Sequence, residues 1–172
     1  MHEPPIGELL CTNDHHKEVS LITALGSAET LQIRRAEVQD AEAILACLAS
    51  AFEIYREQYT PAAFSDTVLH SNTVQCRMRD MHVLVAVCNG DIVGTIGYSV
   101  SGQEGHLRGM AVVPFCHGTG VASGLLRAAE DELRNCGCAL VTLDTTEPLK
   151  RATKFYEKHG YSNRAGRQIF SG

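Results

Sequence analysis

A chain of 172 residues, 44% hydrophobic and 20% charged, is long enough for one domain with a buried core, and its composition excludes a disordered or collagen-like polymer. No stretch approaches the ~20 apolar residues that span a bilayer, and the acidic start MHEPPIGELL lacks the basic flank and apolar run of a secretion signal, so a cytoplasmic protein with no membrane partner is expected. A formal net charge of −5 without a Lys or Arg stripe argues against nucleic acid as the main partner and suits a cationic amine.

Residues 1–29 show no sustained periodicity and read as a loosely ordered extension before a domain at 30–172. Leu31 to Arg34 alternates like a strand. Asp40 stands where an N-cap belongs, and Ala41, Ile44, Leu45, Leu48 and Phe52 follow at helical spacing. Pro61 opens a second helical stretch through Phe64 and Val68. The apolar run Val83–Cys88, the turn Asn89-Gly90 and the return Ile92–Val100 predict a hairpin. A third strand is expected from about His106 to Val113. A helix follows, with Ala122, Leu125, Leu126, Ala129 and Leu133 on one face and Gly137 as its stop. Ala139 to Asp144 reads as a strand, Pro148 to Gly160 as the last helix, and Tyr161 onward as a final strand. The pattern is mixed α/β, with helices on both faces of a mixed sheet.

Seven cysteines, an odd number, imply reduced thiols. Cys136-Gly-Cys138 has no second pair at zinc spacing, and His15-His16 with Cys11 and Asp14 lies in the unpatterned leader, so no metal site is expected.

The informative segment runs from Leu107 to Leu126. A strand ends at Pro114, a turn carries Gly118 and Gly120, and a helix begins at once. Glycines let backbone amides converge, and the first helical turn offers unpaired N–H groups with partial positive charge. Together they make a phosphate cradle, to which Thr119 and Ser123 add hydroxyls.

From about Leu31 to Phe170 the chain resembles the GNAT superfamily of N-acetyltransferases. The loop His117-Gly-Thr-Gly120-Val-Ala122 is similar to that family's pyrophosphate loop, with His117 in place of the usual Gln or Arg. Ala152-Thr-Lys-Phe155-Tyr156-Glu-Lys-His-Gly160-Tyr161 resembles the ending of GNAT domains, with Leu149 where many relatives carry Asn. The resemblance implies a mostly antiparallel sheet of six to seven strands and acetyl-CoA as cosubstrate. It assigns the cofactor to the backbone of Met110, Ala111 and Val112 and to the loop His117, Gly118, Thr119, Gly120, Val121, Ala122 and Ser123. It implies direct acetyl transfer to a primary amine of a small molecule or peptide, without a covalent enzyme intermediate.

Such a reaction needs a base for the ammonium, donors for the oxyanion and a proton donor for the leaving thiolate. The resemblance places the acid at Tyr156. Asp144, at a strand end, and Glu104 or His106, which by alternation share a face with Arg108 and Met110, are the candidate bases. Cys116 reads as a small buried residue. Phe52, Tyr55 and Tyr59, with Glu53 and Glu57 nearby, could wall an amine pocket or belong to the core. Two other readings stay open: a CoA-binding module without catalysis, and a dinucleotide-binding unit built on Gly118-Thr-Gly120 and Asp144. A short last strand would leave an open edge, which suits a homodimer.

Overall fold

The computed structural model describes residues 17–21, 29–144 and 149–162. Among them a six-stranded sheet runs in sequence order: β1 (Lys17–Leu21), β2 (Glu29–Arg35), β3 (His82–Cys88), β4 (Asp91–Ser101), β5 (Glu104–Val112) and β6 (Leu140–Leu143). Neighbours are antiparallel except β5 and β6, which are parallel. The helices are α1 (Ala41–Phe52), α2 (Pro61–Thr67), α3 (Ser71–Asp80), α4 (Val121–Asn135) and α5 (Lys150–Lys158).

Local sequence explains most of these boundaries. Asn89 and Gly90 both have positive φ (52° and 90°), the backbone a two-residue hairpin turn demands. Thr60 accepts the Ala63 N–H and Pro61 opens α2. Gly137 at φ 77° follows the end of α4.

Helices cover both faces. On one, α4 buries Leu125, Leu126 and Leu133, each worth roughly 1.5–3 kcal/mol relative to exposure. The sheet makes room for it with glycines: a Cβ at Gly94 would stand 2.8 Å from Leu125, and one at Gly105 would stand 2.6 Å from Leu133. On the other face, Ile44 and Leu48 of α1 and Val74 of α3 gather over Val83, Thr95 and Gly97.

Several expectations need correction. β1 falls inside the stretch 1–29 read as unstructured and pairs in full with β2. α3 went unseen because Ser71–Asp80 buries only Val74 and so shows no apolar stripe. Asp40 does not cap α1 with its side chain: its carboxylate takes Arg34 at 2.6 Å and the Glu37 N–H at 2.7 Å, and closes the 3₁₀ turn that precedes the helix. Tyr161 and Ser162 are not strand. The rest of the expected last strand, Pro148, the Cys11–His16 cluster and the turn after Asp144 lie outside the described residues.

One irregularity positions the site. Thr95 pairs with Ala111 and Gly97 with Arg108, so two β5 residues, Gly109 and Met110, oppose Ile96 alone. Gly109 has φ 66°, the left-handed geometry of a glycine bulge. Residues directly opposite in a sheet share a face. Glu104, His106 and Arg108 therefore face α1 and α3, together with Ala111, whereas Met110 turns to the α4 side. The expectation that Met110 shares their face is overturned by this extra residue.

Candidate active site

The β5–β6 ladder ends at Leu107 and Leu143. Beyond it β5 continues without β6, and its free edge opens into a cleft of about 410 Å³. Met110, Ala111 and Val112 form one wall and the glycine turn with the start of α4 another. Ala51, Phe52 and Tyr55 come from α1 and the turn after it. Leu149, Arg151, Phe155, Tyr156 and Lys158 come from α5 and its approach.

The turn before α4 has the backbone the glycines suggested. Gly118 and Gly120 have φ 82° and 92°. The first helical bond of α4 runs from the Gly124 N–H to the Gly120 carbonyl at 2.9 Å, so the N–H groups of Val121, Ala122 and Ser123 precede it. Gly118, Gly120, Ala122 and Ser123 line the cleft. Two side chains of the loop point elsewhere. The Thr119 hydroxyl donates to the Cys116 carbonyl at 2.6 Å, and the Val121 side chain is buried in the core beside Gly94.

His117 lines the cleft but turns back. Its Nε2 donates to the Val112 carbonyl at 3.0 Å. Because the Val113 N–H bonds Val93 across β4, the neighbouring Val112 directs its own polar groups to the cleft edge. The imidazole thus holds a carbonyl that the cleft edge would otherwise present.

Tyr156 is 6% exposed and walls the cleft. Its hydroxyl donates to Met110 Sδ at 3.1 Å, and a thioether is a weak acceptor. Burial pushes the phenol well above its ordinary value, so it stays protonated and donating. Edge-on packing against Phe155 at 5.3 Å and Tyr161 at 5.5 Å fixes the ring.

The carboxylates named in the sequence are linked through Thr142 and His106 along the β5–β6 ladder, Asp144 just past Leu143 where the strands part and Glu104 opposite Leu140 at the other end, on the α1 and α3 side. Thr142 Oγ1 donates to Glu104 Oε1 at 3.0 Å and lies 2.9 Å from His106 Nδ1. His106 Nε2 is 3.6 Å from Asp144 Oδ2. None of the four lines the cleft itself.

Phe52 and Tyr55 line the cleft, with ring centroids 6.4 Å apart, while Tyr59 packs edge-on against Phe64 away from it. Glu53 is bound to Arg56 at 2.7 Å. Cys116 lines the cleft, half-buried, and Cys47 behind it is pushed up to about 12 by burial and then by that neighbouring thiol. Arg151 and Lys158 were missed. Their seven-residue spacing, with Phe155 between them, is the helical signal that could have found them.

Sequence and fold comparisons agree with this geometry. Residues 48–161 match the acetyltransferase (GNAT) family. The chain belongs to the GNAT family. This acetyltransferase is 33% identical over 144 residues to the uncharacterized N-acetyltransferase YhfO of Bacillus subtilis, covering 79% of this chain and 93% of that one. It is 26% identical over 136 residues to the aminoalkylphosphonate N-acetyltransferase of Salmonella typhimurium, covering 76% and 84%. Its fold matches that of the PaiA N-acetyltransferase of Thermoplasma acidophilum in complex with coenzyme A, at TM-score 0.68 and 16% identity, covering 81% and 96%. The dinucleotide reading falls on topology, since a GNAT sheet with a single parallel pair replaces the parallel sheet that reading requires. Among the described residues no helix of the acetyltransferase is long and apolar enough to cross a membrane, and no group of three or more His, Cys, Asp or Glu side chains is placed to hold a metal ion.

Proposed function

We propose that this acetyltransferase moves the acetyl group of acetyl-CoA to the primary amine of a small molecule or peptide by direct attack. The observation that carries the reading is one cleft with a glycine-turned helix N-terminus at one end and a buried, protonated Tyr156 hydroxyl in its wall. The cofactor fits this cleft on the structure's own terms. The amides that begin α4 would receive the pyrophosphate, and the cationic Arg151 and Lys158 stand on the opposite wall for further phosphate charge. The β5 edge at Met110–Val112 would offer outward N–H groups to the pantetheine arm, as a sheet edge receives a peptide, with the Val112 carbonyl already held by His117.

Acetyl-CoA supplies the activated acyl carbon. The chain's residues do the rest. A backbone N–H of β5 faces the developing oxyanion. The Tyr156 hydroxyl leaves a weak thioether acceptor for the sulfur that gains charge. The ammonium proton goes to the cluster of Glu104, His106 and Asp144 along the β5–β6 ladder, through water, since these groups stand outside the cleft wall. An amine that also carries an anionic group is a natural first acceptor, because the relative from Salmonella typhimurium is named for aminoalkylphosphonates.

The test is a thermal melt with acetyl-CoA, CoA or NADH, then thiol release with a panel of amines. Ligand at ~100 times its dissociation constant adds ~2.7 kcal/mol, roughly 5–10 °C at this chain length. Stabilisation by both CoA species but not NADH, with amine-dependent thiol release, is expected. No response to either CoA species would sink the proposal.

A further inference from the structure

Thr142 has no role in anything argued so far, yet it sits at the centre of the Glu104, His106 and Asp144 cluster along the β5–β6 ladder. It is buried on β6 and pairs across the parallel ladder with His106. Its oxygen has three polar neighbours: Glu104 Oε1 at 3.0 Å, the Gly105 carbonyl at 3.4 Å and His106 Nδ1 at 2.9 Å. A hydroxyl carries one proton. A carboxylate and a carbonyl can only accept it, whereas an imidazole nitrogen can also donate. The shorter of the two acceptor contacts gives the Thr142 proton to Glu104, and the Thr142 oxygen then accepts the Nδ1 proton of His106. That leaves His106 Nε2 with the lone pair, 3.6 Å from Asp144 Oδ2.

We infer that Thr142 and Glu104 are positioning residues that hold His106 in its Nδ1–H tautomer, and that His106 Nε2 is the base of the reaction. This rests on the acetyl-transfer reading above. It narrows the three candidate bases to one and gives the two carboxylates different tasks. Glu104 orders the relay from behind, as an outer partner fixes the tautomer of a working histidine elsewhere. Asp144, whose side chain is 84% exposed, stands beside the nitrogen that becomes positive. The ammonium gives a proton, through water, to Nε2. The freed amine forms its bond to the acyl carbon as the carbon–sulfur bond breaks, and the proton still on that nitrogen goes to the leaving thiolate. The imidazolium then returns its proton to solvent. The other charged groups on this surface are Arg108, next but one along β5, and Arg77 of α3, whose Nη1 lies where a Gly109 side chain would begin.

The relay is read out by imidazole nitrogen NMR on the full chain, with the His106 signals assigned by their loss in His106→Asn. Wild type is expected to show protonated Nδ1 and bare Nε2 at alkaline pH, and Thr142→Val to lose that preference. Activity is followed as thiol release from acetyl-CoA with the best amine among 2-aminoethylphosphonate, spermidine, lysine and an alanine-terminated peptide. His106→Asn should lose ~10²–10⁴-fold in kcat together with the acid limb of the pH–rate profile. Thr142→Val should lose ~10–100-fold in kcat with the acetyl-CoA KM unmoved, and Thr142→Ser should restore it. A wild-type spectrum with the proton on Nε2 overturns the relay without any variant. So does an active wild type whose Thr142→Val variant keeps its kcat. Wild type that neither gains stability from CoA nor releases thiol fails one step earlier, at acetyl transfer itself.

Discussion

Replacing Tyr156 with Phe separates chemistry from structure. The hydroxyl donates to Met110 Sδ at 3.1 Å, inside a ring cluster that Phe preserves. An ordinary hydrogen bond contributes ~0.5–1.5 kcal/mol, and one to a thioether sits at the low end. The variant should therefore melt within about 2–4 °C of wild type at this chain length. In the proposed reaction the same hydroxyl would meet a sulfur gaining full charge, and a donor aimed at developing charge is worth ~10²–10³ in kcat, about 2.7–4 kcal/mol. The assay is thiol release at saturating amine across acetyl-CoA concentrations, with CoA affinity measured by calorimetry. A fall in kcat with unchanged CoA affinity and a small melting shift is expected. Equal kcat in the two proteins would refute the assignment. A collapse in melting temperature would instead make Tyr156 a core residue that happens to border a cleft.

The cradle and the buried phenols give further checks. Gly118 sits at φ 82° with open space around its missing side chain, so Gly118→Ala meets only backbone strain, ~1–2 kcal/mol. It should raise the KM for acetyl-CoA roughly tenfold if that strain moves the loop, while acetyl-pantetheine, which has no pyrophosphate, is used as before. The phenols of Tyr98, Tyr156 and Tyr161 are all raised, chiefly by burial. The native state keeps these protons where the unfolded chain has lost them, so stability is complete below the unfolded value near ~10 and falls above it, by ~1.4 kcal/mol per pH unit for each tyrosine. Chemical denaturation between pH 8 and 11 should show a steepening loss, and a flat profile would contradict the burial of these hydroxyls.

The parts of the site that were legible in the sequence are the local ones. Glycines at 118 and 120 before a helix announce a backbone conformation within a few residues, and the structure gives both the positive φ they allow. The Phe155-Tyr156 stretch was legible through its resemblance to other chains. What escaped depends on partners distant in sequence. Thr142 meets Glu104 and His106 only because β5 and β6 run parallel across an intervening helix. His117 takes the Val112 carbonyl because the loop doubles back on its own strand. Gly109 did leave a mark, an isolated glycine within a strand pattern, which is the usual trace of a bulge. Reading through it as simple alternation put Met110 on the wrong face.

That bulge also sets how the protein tolerates change. Because β5 carries one extra residue, the even-numbered Glu104, His106 and Arg108 face the α1 side whereas Met110 faces the α4 side. In the proposed reaction, proton handling and cofactor sulfur would thus be served by the same strand from opposite faces. Substitutions along β5 alter one role at a time. Deleting Gly109 or inserting a residue beside it would reverse the facing of everything on one side of the break, and so exchange lining for core across half the site. Length at this point is under tighter constraint than identity, and a variant library for new acceptors should vary residues on either side of Gly109 while holding the count between Arg108 and Ala111 fixed.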